Sequence, residues 1–322
     1  MRKGRFIISL DFVLHWGVSD HRTVASYHEN LKNTPAVVNR LLDLFGKQGI
    51  HATWATVGML LCRRKDEIEA FVPDNMRPTY NDTRLSNYLV AKEAGNNEND
   101  DPFHYANTLV RKIISTPGQE FATHTYSHYY CLEPGQVPTQ FLSDLQAAVK
   151  ISEREGVKPV SIVFPRNQYS DAYIAMCREA GITTYRGNFL SWVYKSEAKS
   201  SEKLLKRLFR LADSYLPVSG YRVVEPVLEN GMLNIPGSCF LRPYNKKLAM
   251  LEWLRLARIK KEMTMAARKG LTYHLWWHPH NFGKNMQENF HNLHNILEHF
   301  KKLSRKYGME SVNMKEVYEQ YQ

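Results

Sequence analysis

The chain has 322 residues, 43% of them hydrophobic, and its 43 Lys and Arg against 32 Asp and Glu give a formal net charge of +11. That length and apolar content suit a folded protein with a large core and exclude a disordered chain, while no apolar run approaches the ~20 residues that a transmembrane helix needs. The excess positive charge favours anionic partners, among them nucleic acid, a membrane surface or a phosphate-bearing substrate.

The basic, apolar start MRKGRFIISL imitates a signal peptide, but Asp11 interrupts the apolar run and no small-residue cleavage site follows. Residues 6–10 are therefore predicted as a first buried strand with Asp11 at its C-terminal end. Thr34 followed by Pro35 predicts a helix start, with Thr34 as cap, and the helix is expected to end near Phe45, before Gly46. HATWATVG, from His51, is the second strand. Across residues 61–118 the apolar periodicity fails, with PDNMRPTYNDTR and GNNENDDP the most polar stretches. This predicts an irregular insertion on the site side of the second strand, either a lid or a passive surface, with His104 exposed on it.

FATHTYSHYYC then sets His124 and His128 four residues apart after a short apolar run. If the run is a strand and HTYSH begins a helical turn, the two imidazoles share a face and can hold one metal ion. Thr139 is predicted to cap a helix that Gly156 ends, and SIVF, the fourth strand, stops at Pro165 and delivers Arg166, Asn167 and Gln168. A helix near residues 169–179 leads to the strand ITTYRG, which places Arg186 and Asn188 beyond its end as candidate substrate binders. MLNIPG, LTYHLWW and MESVNM supply further strands, with helices at 246–269 and 285–306 between them. LTYHLWWHPHNFG presents His278 and His280 at a strand end. Along it His274 shares a face with His278 and reads as a hydrogen-bonded interior residue, and of the Trp276–Trp277 pair Trp277 is taken as an apolar wall for substrate.

Strands alternating with helices over this length predict an α/β fold closed as a (β/α) barrel, in one domain spanning 1–322. No GxGxxG follows the first strand, which argues against a dinucleotide-binding sheet. Four strand ends carry a carboxylate, a His pair, an Arg and another His, and C-terminal strand ends are where sites assemble in parallel architectures. Cys62, Cys131, Cys177 and Cys239 form no CxxC, so free thiols in a reducing cytoplasm are expected, Cys131 being a buried core residue. No zinc-finger, RRM, KH or helix-turn-helix signature is present, and the basic residues spread over amphipathic helices, so no nucleic acid is expected. Membrane-surface contact remains compatible with the charge.

The order of SLDF near the start, HTYSH, FPRNQ and WWHPH resembles the polysaccharide deacetylases, the NodB-homology or carbohydrate esterase family 4 group, over most of the chain. The resemblance implies a distorted (β/α) barrel and metal-dependent removal of an N-acetyl or similar acyl group from an amino sugar of a polysaccharide or glycoconjugate precursor, with a phosphate-linked sugar suiting the charge. It implies that His124 and His128 bind a divalent metal, zinc first, with cobalt, nickel or iron as alternatives. Asp11 would be the base, His278 the acid, and Arg166 the cation that keeps Asp11 ionised; backbone N–H groups just after His128 would complete an oxyanion hole. The chain departs from the family where a second acidic residue beside the base supplies the third metal ligand: here the positions are Phe12 and Val13. His15 is the candidate replacement. FPRNQ also lacks the family's RxxPY ending. The alternatives are a non-sugar amide hydrolase of the same fold, or a catalytically impaired carbohydrate-binding relative.

Overall fold

The computed structural model describes residues 2–195, 197–198 and 204–322. Among them one sheet holds β1 (Arg5–Phe12), β2 (Ala52–Thr56), β3 (Gln119–Thr123), β4 (Ser161–Ile162), β5 (Thr184–Tyr185), β6 (Val227–Glu229), β7 (Met232–Asn234), β8 (Cys239–Phe240), β9 (Thr272–Trp277) and β10 (Glu310–Ser311). The spatial order is β6-β7-β5-β4-β3-β2-β1-β9-β8, and β10 pairs with the start of β1. All pairings within it are parallel except β6–β7. The sheet curls back on itself because the chain between β7 and β8 touches both sides: Gly237 N–H donates to Gly187 O beyond β5 (2.9 Å), and Ser238 N–H donates to His274 O on β9 (2.8 Å). The alternation predicted a (β/α) barrel, and the distorted, curled form is the one that the family resemblance implied.

Every residue of the central strand β1 is buried, the expected result where helices cover one face and the barrel interior the other. Strand alternation divides its side chains. Phe6, Ile8 and Leu10 pack outward with Val37, Leu41, Leu293 and Ile296 of the helices Thr34–Gln48 and Met286–Tyr307. Ile7 packs inward with Ala55, Ala122, Val163 and Leu233, beneath a plug of Val312, Met314 and Val317. Ser9 and Asp11 fall on the same inner side as Ile7, so the period of 2 alone aims the carboxylate into the mouth of the barrel. On β9 the register sets His274 beside Ile7 and Trp276 beside Ser9, inward, while Tyr273, Leu275 and Trp277 belong to the outer core.

Several local expectations shift. The helix Thr34–Gln48 runs through Gly46, and Gly49, at φ 62°, ends it in the left-handed conformation that glycine adopts without strain. Asn33 precedes this helix, and Val137 precedes Pro138–Arg154, so Thr34 and Thr139 lie inside their helices rather than at the caps. Residues 61–118 are not a loose insertion. Short helices, Lys65–Ala70, Asn87–Ala91 and Asn107–Ser115, send Ile68, Tyr88, Ala91, Val110 and Ile113 into the main core, and Tyr105, just ahead of the last of them, joins it. One or two helical turns are too few to display a 3.6-residue period, which hid them. Among the described residues no helix is long and apolar enough to cross a membrane.

Candidate active site

Asp11, His124, Arg186 and His278 come together at the C-terminal ends of β1, β3, β5 and β9. Asp11 is almost fully buried, and Arg186 grips it with two parallel hydrogen bonds, Nη1 to Oδ1 at 2.7 Å and Nη2 to Oδ2 at 2.8 Å. Such forked pairs are among the stronger charge-assisted contacts. Burial by itself would raise the Asp11 pKa, but Arg186, helped by His278 and His124, holds it at about 2. The carboxylate is thus ionised at any working pH, and its unused lone pairs remain free to accept a proton.

Arg186 is itself fixed from three sides. Nη1 also donates to Ser9 Oγ (3.0 Å), Nη2 to Asn167 Oδ1 (3.0 Å), and the guanidinium lies 4.1 Å from the centre of the Trp276 ring. His274 Nδ1–H donates to Ile235 O (3.3 Å), so its Nε2 is the acceptor for Ser9 O–H (2.8 Å). The interior, hydrogen-bonded His274 agrees with the sequence reading, and it makes Ser9 the link between β9 and the Arg186–Asp11 pair.

The His pair is positioned by a turn rather than by a helix. Thr125 (φ 63°) and His128 (φ 60°) both adopt the left-handed region, which is uncommon without glycine. Asp144, fully buried on the helix Pro138–Arg154, pins the turn by accepting from Tyr126 N–H (2.7 Å), Ser127 N–H (3.1 Å) and Ser127 O–H. The two imidazole centres stand 4.9 Å apart. His124 Nδ1–H donates to Val163 O at 2.7 Å, which leaves Nε2 as a lone-pair donor. His128 Nδ1 is buried without a partner. Burial, before any neighbouring charge, lowers the His124 pKa to about 4 and that of His128 well below its ordinary value, so both rings are neutral. A fixed tautomer, an unsatisfied buried nitrogen and neutral rings are what a divalent cation requires of imidazole ligands. The two histidines therefore fit the imidazole part of a metal site. Among the described residues no group of three or more His, Cys, Asp or Glu completes it. Phe12 and Val13 are fully buried core residues and supply no ligand.

His278 Nε2 stands 3.7 Å from Asp11 Oδ2, too far for a hydrogen bond but within charge contact. With its side chain 26% exposed against 4% for Asp11, it is the more open of the two to solvent.

Six expectations are corrected. Arg166 does not reach Asp11. It bonds Asp20 (2.6 Å) and Glu133 (2.9 Å) and lies over Tyr130, because its left-handed backbone (φ 53°) after β4 turns it to the other flank. Arg186, expected to bind substrate, takes that place instead, since β5 ends one residue before it on the inner wall. His15 cannot be the third ligand: Nδ1 meets His104 Nε2 (2.8 Å) and Nε2 meets Arg22 O (2.9 Å). His104, expected on the surface, is buried and bonds Asp101 through Nδ1 (2.6 Å). Trp277 faces the outer core, stacked on Phe282 at 5.4 Å, and Trp276 is the tryptophan on the site side. The backbone N–H groups after His128 are committed elsewhere, Tyr129 to Thr125 Oγ1 (2.7 Å) and Tyr130 to Tyr80 Oη (2.8 Å), so they form no oxyanion hole. Asn188 lines the adjacent cavity and donates to Asn167 O at 3.0 Å.

Asp144 escaped the sequence reading, although a carboxylate on the face shared with Phe141, Leu145, Ala148 and Ile151 is a visible anomaly. Nothing local marked Arg186 as the partner of a residue 175 positions away.

The family model for polysaccharide deacetylases matches residues 19–185, a span that includes the His pair and FPRNQ. The chain belongs to the polysaccharide deacetylase family. Among solved structures, a Mycobacterium smegmatis protein assigned as a polysaccharide deacetylase has a TM-score of 0.59 at 13% identity, over 99% of this chain and 90% of that one. One from Pseudomonas aeruginosa PAO1 with the same assignment scores 0.55 at 12% identity, over 97% and 88%. Puue allantoinase scores 0.54 at 12% identity, over 97% and 87%. At these identities the structures show a common fold. No curated protein matches the sequence. The matched span stops short of Asp11 and His278 on either side.

Proposed function

We propose that this polysaccharide deacetylase family member is a metal-dependent hydrolase that removes an N-acetyl or similar acyl group from an amino sugar of a polysaccharide or glycoconjugate precursor. The observation that carries this reading is the buried, Arg-clamped Asp11 with His278 at 3.7 Å, set at one barrel mouth with the neutral His124–His128 pair. His124 through Nε2 and His128 would hold the cation. When bound there, a divalent metal supplies a water of lowered pKa and polarises a carbonyl. Asp11, kept ionised by Arg186, accepts a proton at its carboxylate. His278, the more exposed partner, is placed to return one to a departing amine and exchange it with solvent. Trp276 and Phe240, whose rings stand 4.7 Å apart, offer apolar surface to a sugar ring beside them. Four buried, unpaired cysteines support a reducing compartment for this work.

A second reading has its own observation. With Phe12 and Val13 in the core and His15 engaged elsewhere, the absent third ligand favours a catalytically impaired, carbohydrate-binding relative. Elemental analysis of the purified protein, together with acetate release from a panel of N-acetyl amino sugars, decides between them. Metal-dependent acetate release is expected. A protein that holds no metal and releases no acetate, yet binds the sugars, overturns the hydrolase reading.

A further inference from the structure

Beside the site lies a cavity of about 220 Å³, roughly the space of seven waters. Its walls are unusually rich in cations: Arg166, Arg186, Lys195, Arg210, Arg222 and Arg242 line it, against the single acid Glu197. Several of these charges are already answered. Arg166 has Asp20 and Glu133, Arg186 has Asp11, and Glu197 pairs with Lys206 at 2.7 Å. Arg222 shares Asp213 and Glu262 with Arg258, yet its Nε and Nη2 are buried with no hydrogen-bond partner. Arg242, half-buried just past β8, has no carboxylate within ion-pair distance among the described residues. Burial first, and then Arg210, press its pKa down, the mark of a guanidinium short of an anion. Lys195 stands exposed at the rim. Buried polar groups in folded proteins find partners, yet Arg222 Nη2 has no hydrogen bond from the protein, and its Nε only faces Glu262 Oε1 at 3.5 Å.

We propose that this cavity is a subsite for a phosphate or diphosphate group on the substrate, held by Arg242, Arg222 and Lys195. The inference rests on the deacylase reading and names its substrate class: an acylated amino sugar carried on phosphate. The cavity shares Arg186, Trp276 and Phe240 with the active site, and Phe240 stands 5.9 Å from His278. A sugar whose acyl group faced His278 would therefore direct a substituent on its other side toward Arg242. Several cations approaching one space from separate chain segments suit the three oxygens of a phosphate better than the planar pair of a carboxylate. The phosphate could belong to a nucleoside diphosphate or to a lipid diphosphate, and the shared chemistry is what the subsite reads.

The test begins with calorimetric titration of pyrophosphate into the full chain at low salt. Binding is expected, and Arg242→Met should weaken it about ten- to a hundredfold, the range for hydrogen bonds to a charged group. Lys195→Met, at an exposed side chain, should weaken it less and keeps the test open if Arg242→Met fails to fold. Lys302→Met, an exposed charge on the helix Met286–Tyr307, should change nothing. Pyrophosphate binding that survives both pocket variants, or a preference for glucuronate over pyrophosphate, overturns the proposal. Acetate release is then compared for a free N-acetyl amino sugar, its nucleoside-diphosphate form and its isoprenyl-diphosphate form in micelles. At least one linked form should exceed the free sugar in kcat/KM by tenfold or more, and which one does so identifies the source. Equal rates for free and linked sugars without pyrophosphate binding would leave the deacylase reading standing and remove the subsite. Pyrophosphate bound through Arg242 with no acetate from any sugar would do the reverse.

Discussion

Arg186 rather than Arg166 controls the charge of Asp11, and the two arginines should separate in a pH profile. Arg186→Met leaves a buried carboxylate with only the weaker pull of His278 and His124 against burial, so the acidic limb of kcat/KM should move up by roughly 1–3 pH units. Arg166→Met removes one ion pair to Asp20 and one to Glu133 and should cost stability, while leaving that limb in place. A limb that moves equally in both variants would refute the assignment. The metal ligands can be tested in the same spirit. His124→Ala and His128→Ala should each abolish stoichiometric metal by elemental analysis, whereas His15→Ala should retain it, because both nitrogens of His15 are spent on His104 and Arg22 O. Metal lost in His15→Ala with the fold intact would restore His15 as a ligand.

The element that decides whether the His pair is usable is the turn between β3 and the helix Pro138–Arg154, and its keystone is Asp144. Burial raises the Asp144 pKa to about 6 against the pull of the N–H and O–H donors around it. Asp144→Ala would orphan the Tyr126 and Ser127 N–H groups in the interior, at a cost of about 1–3 kcal/mol for each unsatisfied group. Chemical denaturation should show that loss, and the metal affinity of the variant should fall although no ligand has been touched. Asp144→Asn keeps one carbonyl acceptor and should recover part of both. Unchanged metal affinity in a destabilised Asp144→Ala would mean that the turn holds its shape without this anchor.

At the scale of the whole molecule, the buried titratable groups set an acid limit on the fold. His124, held at about 4, and His274, at about 3, have folded pKa values depressed by burial, and His15, His128, His278 and His280 are lowered in the same direction. For such groups stability is fully present above the unfolded pKa near 6.5 and is lost as the pH falls toward 4, because only the unfolded chain takes up the protons. Asp144, Glu120 and Glu252 are raised and oppose this, favouring the fold below their unfolded values and losing that advantage as the pH rises. With His299 also lowered by burial, seven histidines against three carboxyl groups leave a net fall on acidification, by about 1.4 kcal/mol per pH unit for each net proton. Melting temperatures should decline from pH 7 to pH 4.5. A flat or rising profile would show that the histidines are not buried as neutral rings.

How much of this was legible in the chain follows from which interactions are local. The apolar runs at residues 6–10 and in LTYHLWW assigned those strands, alternation put His274 and His278 on one face, and turn residues bounded most of the helices. HTYSH, as five residues of contiguous sequence, announced two rings that can meet. The partner of Asp11 was a different matter. Arg166 and Arg186 both follow strands, both lie on the site side and both carry the same charge, so nothing within a few residues of either distinguishes them. The choice is made by the curl of the sheet, which brings the end of β5 across the barrel to β1, and by the left-handed backbone at Arg166 that turns it away. The same holds for His15 and His104, which bury each other 89 positions apart, and for Trp276 and Trp277, whose roles depend on which face of β9 the barrel encloses. Local periodicity determined which elements form and which residue types stand at their ends. Only the closed sheet decided which of those residues touch, because pairing across a barrel depends on register and curvature that no short stretch of chain contains.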